Sequence, residues 1–201
     1  KFNVLSSASS LEPTAFLVWT TTPWTLVSNV AIAVHPDLAY VFVETDTHGT
    51  LILCRDLMET VLKKLGASGN VVKTVKGKEL EGMITAHPFL GRPSKVVLAD
   101  YVSNEDGTGC VHIAPGHGQE DYEVGLKYNL PVIMPVDEKG RFKKIDSFEV
   151  PDEIVGKNIL EANDIILKIL SDKKVLLISA KTEHSYPYCW RCHSPLLFRA
   201  T

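Results

Sequence analysis

Residues Trp19 to Asn29 read WTTTPWTLVSN, three threonines set against a proline and followed at once by the apolar run Val30–Val34. Pro23 crowds the residue before it, which holds Thr22 away from the α region and keeps the segment extended. In extended chain Thr20 and Thr22 share one face while Thr21 takes the other. Two readings stand side by side. Threonine suits strands and caps for purely local reasons, and a row of hydroxyls can equally be aimed at a substrate.

Working outward, the first 54 residues carry strand patterns at 15–20, 30–34, 39–44 and 50–54, rich in β-branched and aromatic residues and divided by Pro, Asp and Gly. A helix is expected over 56–66, with Leu57, Val61, Leu62 and Leu65 on one face, Asp56 as its cap and Gly66 as its stop. Further strands are expected at 70–76, 95–100 and 109–114, and a helix opens near Gly118. The apolar positions Ile159, Leu160, Ile165, Ile166, Ile169 and Leu170 recur at helical spacing and predict a helix from Asn158 to Lys173. The tail 175–180 reads as strand, and the last residues as strand and knuckle. Strands outnumber helices without regular alternation, so the expected class is α+β, a mixed, β-barrel-like core flanked by helices.

Composition limits the function classes. At 201 residues with 45% hydrophobic residues the chain can bury one sizeable core. No apolar run approaches the ~20 residues of a membrane span, and the first residues carry neither an initiator Met nor a signal-peptide core, so the chain reads as a piece of a longer one. Four cysteines (Cys54, Cys110, Cys189, Cys192) are too few and too scattered for a disulfide framework, which suggests a reducing, cytoplasmic setting. A net charge of −3 argues against wrapping nucleic acid broadly. Residues 1–140 carry −5 and residues 141–201 carry +2, so any RNA contact should be local.

A second motif, GTGCVHIAPGHGQEDY, spans Gly107 to Tyr122. Alternation puts Cys110, His112 and Ala114 on one face of a short strand, with Val111 and Ile113 on the expected core face. A Pro-Gly turn follows, and Glu120 and Asp121 fall in the first turn of a helix. Singly, Asp121 can be a dipole-complementing acid, and His112 and His117 can be satisfied structural histidines. Together they bracket a turn in the way a cleft does. Pro115 and Gly116 break the i, i+4 histidine spacing of helix-borne zinc sites, so no catalytic metal is assigned. CWRCH, Cys189 to His193, holds half a tetrahedral zinc site with no second pair to complete it.

WTTTPWT together with the downstream GTGCVHIAPGHGQEDY resembles the editing (CP1) domain of isoleucyl-tRNA synthetase, over essentially the whole chain. Valyl and leucyl relatives carry Arg where this chain has Thr22. Neither the HIGH nor the KMSKS signature of the ATP-dependent site occurs here. The resemblance implies one editing domain over 1–201, excised from a larger synthetase, with 1–13 and 185–201 as the connections to the parent. It implies hydrolysis of valine misattached to tRNA(Ile) by a positioned water, sparing the isoleucyl ester, without a cofactor. Asp121 would hold the substrate ammonium, Thr20, Thr21 and Thr22 would place the water, and His112 would close the side-chain pocket against isoleucine. Asn29, Trp24 and His117 are further substrate-binding candidates. The implied partners are the 3′ end of tRNA(Ile) carrying valine and the rest of the synthetase, with valyl-adenylate left open as a second substrate. Two alternatives remain: a spacer that only guides the tRNA end, and a zinc-knuckle RNA-binding module on Cys189 and Cys192.

Overall fold

The computed structural model describes residues 1–5, 14–180, 187–191, 193 and 196–200. Two mixed sheets form the frame. The first contains β1 (Phe2–Asn3), β2 (Thr14–Phe16), β4 (Ala39–Thr45), β5 (Gly49–Cys54) and β6 (Gly69–Lys76), in the order β1-β2-β5-β4-β6. The second contains β3 (Ala31–Val34), β7 (Ile84–Ala86), β8 (Pro93–Leu98) and β9 (Cys110–Ile113), in the order β7-β8-β3-β9. Single bridges join them, Val4 to Thr85 at one seam and Trp19 to Val111 at the other. The class is α+β as expected. The sheets lean together without closing, so the β-rich core is not a closed barrel among the described residues.

Among the described residues three α-helices flank the sheets: α1 (Met58–Leu65), α2 (Gln119–Tyr128) and α3 (Ile159–Asp172). The four residues of β3 are all fully buried, as an apolar run covered on both faces requires. Ile32 and Val34 face the main core shared with the first sheet, α1 and α3. Ala31 and Ala33 face a smaller cluster with Val97, Ile113 and Val124 of α2.

Helix boundaries follow local chemistry. Gly66 stops α1 in the left-handed region at φ 62°, where glycine carries no Cβ penalty. Asn158 caps α3 by accepting from the Leu160 N–H, and Glu161 reaches back to the Asn158 N–H, a reciprocal capping box. Asp56 does not cap α1: a 3₁₀ turn over Arg55–Leu57 precedes the helix, and the Asp56 carboxylate accepts from Asn104 instead. Residues 175–180 are not a strand. Val175 and Leu176 donate back to the Leu170 carbonyl and fold the chain under the end of α3, which takes those donors out of any ladder.

One expectation about β9 is overturned. His112 was placed on a face opposite the core, yet Cys110, His112 and Ile113 are all buried. The reason is that the face carrying Cys110 and His112 turns to the main cluster, while Val111, expected in the core, lies half-buried against the smaller one.

Candidate active site

Antiparallel pairing of β3 with β9 sets Ala31 against Ile113 and Ile32 against His112. The segment leading into β3 and the segment leaving β9 therefore lie at the same end of the sheet. The first is the threonine run and the second is the Pro-Gly turn.

The threonine run leaves the sheet after Phe16 and tightens at Pro23 into a 3₁₀ helix over Pro23–Ser28. Proline suits the first helical position because its fixed φ is already helical and its missing N–H is not needed there. Residues three apart are eclipsed in a 3₁₀ helix, which stacks Thr25 over Thr22. The sequence marks Thr25 only as part of the WTTTPWT motif and not as a site residue; the Pro23 helix start was the available signal. The Trp24 N–H is held by Asn163 Oδ1 on α3 at 3.0 Å.

Hydrogen-bond accounting orients the row. The Thr25 hydroxyl donates to the Thr22 carbonyl at 2.8 Å, which uses its only hydrogen. Thr25 Oγ1 must therefore accept from Thr22 Oγ1 at 3.2 Å and from His112 Nε2 at 3.0 Å. Thr22 has then used its hydrogen too, so Thr20, 3.4 Å away, donates to Thr22. The Thr22 N–H in turn donates to Thr20 Oγ1 at 3.1 Å. Thr20, Thr22, Thr25 and His112 form one directed chain, with His112 in its Nε2–H form. His112 Nδ1 is buried with no partner. Burial alone pulls the His112 pKa down to about 4, so the ring is neutral near pH 7. Thr21 is exposed at a bend in the chain, so the segment is not extended there and Thr20 and Thr21 border the same cavity.

Behind the row, His87 Nδ1 accepts from the Phe89 and Leu90 N–H groups, which leaves Nε2–H to donate to the Leu26 carbonyl at 2.8 Å. The Arg92 guanidinium donates to the Val27 and Asn29 carbonyls. These side chains satisfy the C-terminal carbonyls of the 3₁₀ helix. Asn29 is fully buried; its amide donates to the Ala31 carbonyl and accepts from Ser94. It shapes the turn into β3 and does not present its side chain to a cleft. Trp24 is likewise buried, its ring edge-on to His117 at 4.6 Å.

On the other segment His117 Nδ1 lies 3.3 Å from the Phe198 carbonyl and Nε2 lies 3.0 Å from Ser28 Oγ. A carbonyl only accepts, so Nδ1 carries the hydrogen and Nε2 accepts from Ser28. Burial, the largest cause, lowers the His117 pKa to about 4. Asp121 sits in the first turn of α2, where Oδ2 accepts from the Ala114 N–H at 2.9 Å and Oδ1 from the Tyr101 hydroxyl at 3.2 Å. Burial pushes its carboxyl pKa up, opposed by those two hydrogen bonds. An incoming cation would face a half-buried carboxylate whose two bonded donors, Ala114 N–H and the Tyr101 hydroxyl, are both neutral.

Two cavities flank the junction. One, about 340 Å³, is lined by Trp19, Thr20, Thr21 and Pro23 with apolar residues of α1 and α3. The other, about 360 Å³, is lined by Pro115, His117, Tyr122 and Phe198. Thr22, Thr25, His112 and Asp121 line neither; His112 braces Thr25 from the interior. Cys54 and Cys110 are buried small hydrophobes, and Cys192 lies outside the described residues. Among the described residues no cluster of three His, Cys, Asp or Glu side chains is arranged to hold a metal, and no helix is long and apolar enough to cross a membrane.

A family model described as leucyl-tRNA synthetase, editing domain, matches residues 2–164. The chain belongs to that family. Curated relatives of this editing domain are isoleucine–tRNA ligases: 50% identical over 94% of the chain in Fervidobacterium pennivorans, and 48% identical over 96% in Thermotoga maritima. The chain spans about a fifth of those relatives' length, 20% and 21% respectively. The same fold occurs in GlLeuRS-CP1, at a TM-score of 0.68 and 12% identity over 86% of each chain. It occurs also in the Plasmodium knowlesi cytosolic leucyl-tRNA synthetase editing domain, at 0.62 and 11% over 82% of this chain and 83% of that one.

Proposed function

We propose that this editing domain hydrolyses valine misattached to tRNA(Ile) and spares the isoleucyl ester, as one unit, residues 1–201, of a longer isoleucyl-tRNA synthetase. Residues 1–13 and 185–201 are then its connections to the parent. The observation that supports this reading is that the β3–β9 pairing brings to one end of the sheet an oriented hydroxyl chain backed by a neutral histidine and a half-buried carboxylate. The isoleucine–tRNA ligase relatives support isoleucyl over leucyl specificity.

In this reading Asp121 receives the α-ammonium of the ester in a charge-assisted contact worth ~1.5–3 kcal/mol. The hydroxyls of Thr20 and Thr22, with the exposed Thr21 at the mouth, hold a water against the ester carbonyl. Water oxygen bonds to the carbonyl carbon, and the tetrahedral species collapses by breaking the bond to the ribose oxygen. The water's proton ends on that oxygen, giving free valine and tRNA. Thr25, held rigid by His112, forms the wall at the amino-acid side chain. His117 fixes Ser28 and the Trp24 ring, and so the turn. The partners are the 3′ end of tRNA(Ile) carrying valine and the remaining synthetase, with valyl-adenylate as a second ester-like substrate presenting the same ammonium and side chain.

The test is Asp121→Ala. Val-tRNA(Ile) hydrolysis should fall to background with thermal unfolding close to wild type. Wild-type hydrolysis by that variant would remove Asp121 from the site.

A further inference from the structure

We propose that Tyr101 is a positioning residue for Asp121, setting the rotation of the carboxylate that meets the substrate ammonium. The inference rests on the editing reading above and adds a residue that neither motif contains. Asp121 accepts one hydrogen bond on each oxygen, and the two donors come from different elements. Ala114 N–H follows β9 and reaches Oδ2 at 2.9 Å; the Tyr101 hydroxyl follows β8 and reaches Oδ1 at 3.2 Å. With the Ala114 bond alone the carboxylate can still pivot about that contact. The second donor fixes its plane.

The tyrosine is well placed to do so. Its turn is pinned by Ala99 and Val102, both buried in the cluster that contains Ile113 and Val124. The backbones of Tyr101, of β9 and of α2 are thus fixed to one another through a single apolar cluster. Tyr101 is 37% exposed as a residue, so core packing does not account for a hydroxyl directed at the carboxylate. Glu120, the adjacent acid on α2, is the other charged group that Tyr101 feels. The hydroxyl donates to the ionised form of Asp121 and opposes the effect of burial there, keeping the carboxylate charged for an ammonium.

Tyr101→Phe keeps the ring and deletes the donor. KM for Val-tRNA(Ile) should rise roughly threefold to tenfold, with kcat changed less. The Asp121 carboxyl, followed by carbon-13 NMR, should titrate at higher pH than in the wild type. Glu120→Gln should leave KM unchanged. An unchanged KM together with an unchanged Asp121 titration overturns the proposal, as does an equal KM rise in Glu120→Gln. Asp121→Asn separates this from the reading beneath it. If that variant deacylates like the wild type, the assignment of Asp121 itself has failed and the role of Tyr101 falls with it. If Asp121→Asn is inactive while Tyr101→Phe changes nothing, only the positioning claim is wrong.

Discussion

His112→Ala tests the sieve. Isoleucine exceeds valine by one methylene, worth ~0.8 kcal/mol in any apolar pocket that admits it, so an unsieved site would favour the wrong ester by about fourfold. Rejection must therefore be steric, and the wall must not yield. Thr25 is held by three hydrogen bonds, including one from His112 Nε2 at 3.0 Å. Removing the ring empties the space behind Thr25, so the wall can recede. The fold should survive. Truncating a large buried side chain costs ~2–4 kcal/mol, but the substitution also removes a buried Nδ1 that has no partner, whose burial costs ~1–3 kcal/mol. Thr25 keeps its bond to the Thr22 carbonyl, so the water-placing hydroxyls stay. Single-turnover deacylation of both esters, with thermal unfolding alongside, should show Ile-tRNA(Ile) hydrolysed within about tenfold of Val-tRNA(Ile). A folded His112→Ala that hydrolyses the valyl ester and still spares the isoleucyl one would refute the bracing argument.

Three further outcomes follow from the same geometry. His87, His112 and His117 have pKa values pulled by burial to about 3, 4 and 4, against an ordinary 6.5. The folded state therefore binds fewer protons than the unfolded chain between those limits. The histidines' contribution to stability should be full above about pH 6.5 and fall steadily as pH drops toward about 4, with the buried Lys1 amine, lowered to about 5, adding a loss in the same direction from about pH 8, as read from Tm in a pH series; a flat Tm would contradict it. Asp121, whose pKa is raised, works in the opposite direction but is one group against three. Gly109→Ala should destabilise by ~2–4 kcal/mol in a denaturant titration, because φ is +70° and a Cβ there would lie 2.3 Å from Cys54 Cβ; an unchanged midpoint would be the contrary result. With a net charge of −3, tRNA binding should be weak with a shallow salt dependence; tight binding with a steep slope would reveal a basic surface.

The two segments that build the site were legible because their chemistry is local. A proline after three threonines keeps Thr22 out of the α region and starts the 3₁₀ helix, and Asp121 in a helix first turn follows from the turn before it. The strict alternation of Thr20 and Thr22 against Thr21 did not carry over, because the chain bends at Thr21 and sets Thr20 and Thr21 along one cavity. What was not legible depends on distant partners. Asn29 looked like a polar residue at the end of a hydroxyl row, but Ser94 and the Ala31 carbonyl engage its amide inside the protein. His112 looked outward by alternation, but the face it shares with Cys110 is the one turned to the main cluster, and Val111 is the half-buried one. His87 and Arg92, more than 60 positions from the carbonyls they satisfy, left no periodic trace. The strand expected at 175–180 failed because apolar β-branched residues pack equally well under a helix end.

The central claim, selective ester hydrolysis, is tested most directly by incubating the wild-type chain with Val-tRNA(Ile) and Ile-tRNA(Ile) in parallel and following release of the amino acid. The account predicts rapid loss of valine and an isoleucyl ester that decays no faster than in buffer. Two esters that both decay at the buffer rate would contradict it, and would leave a domain that only guides the tRNA end.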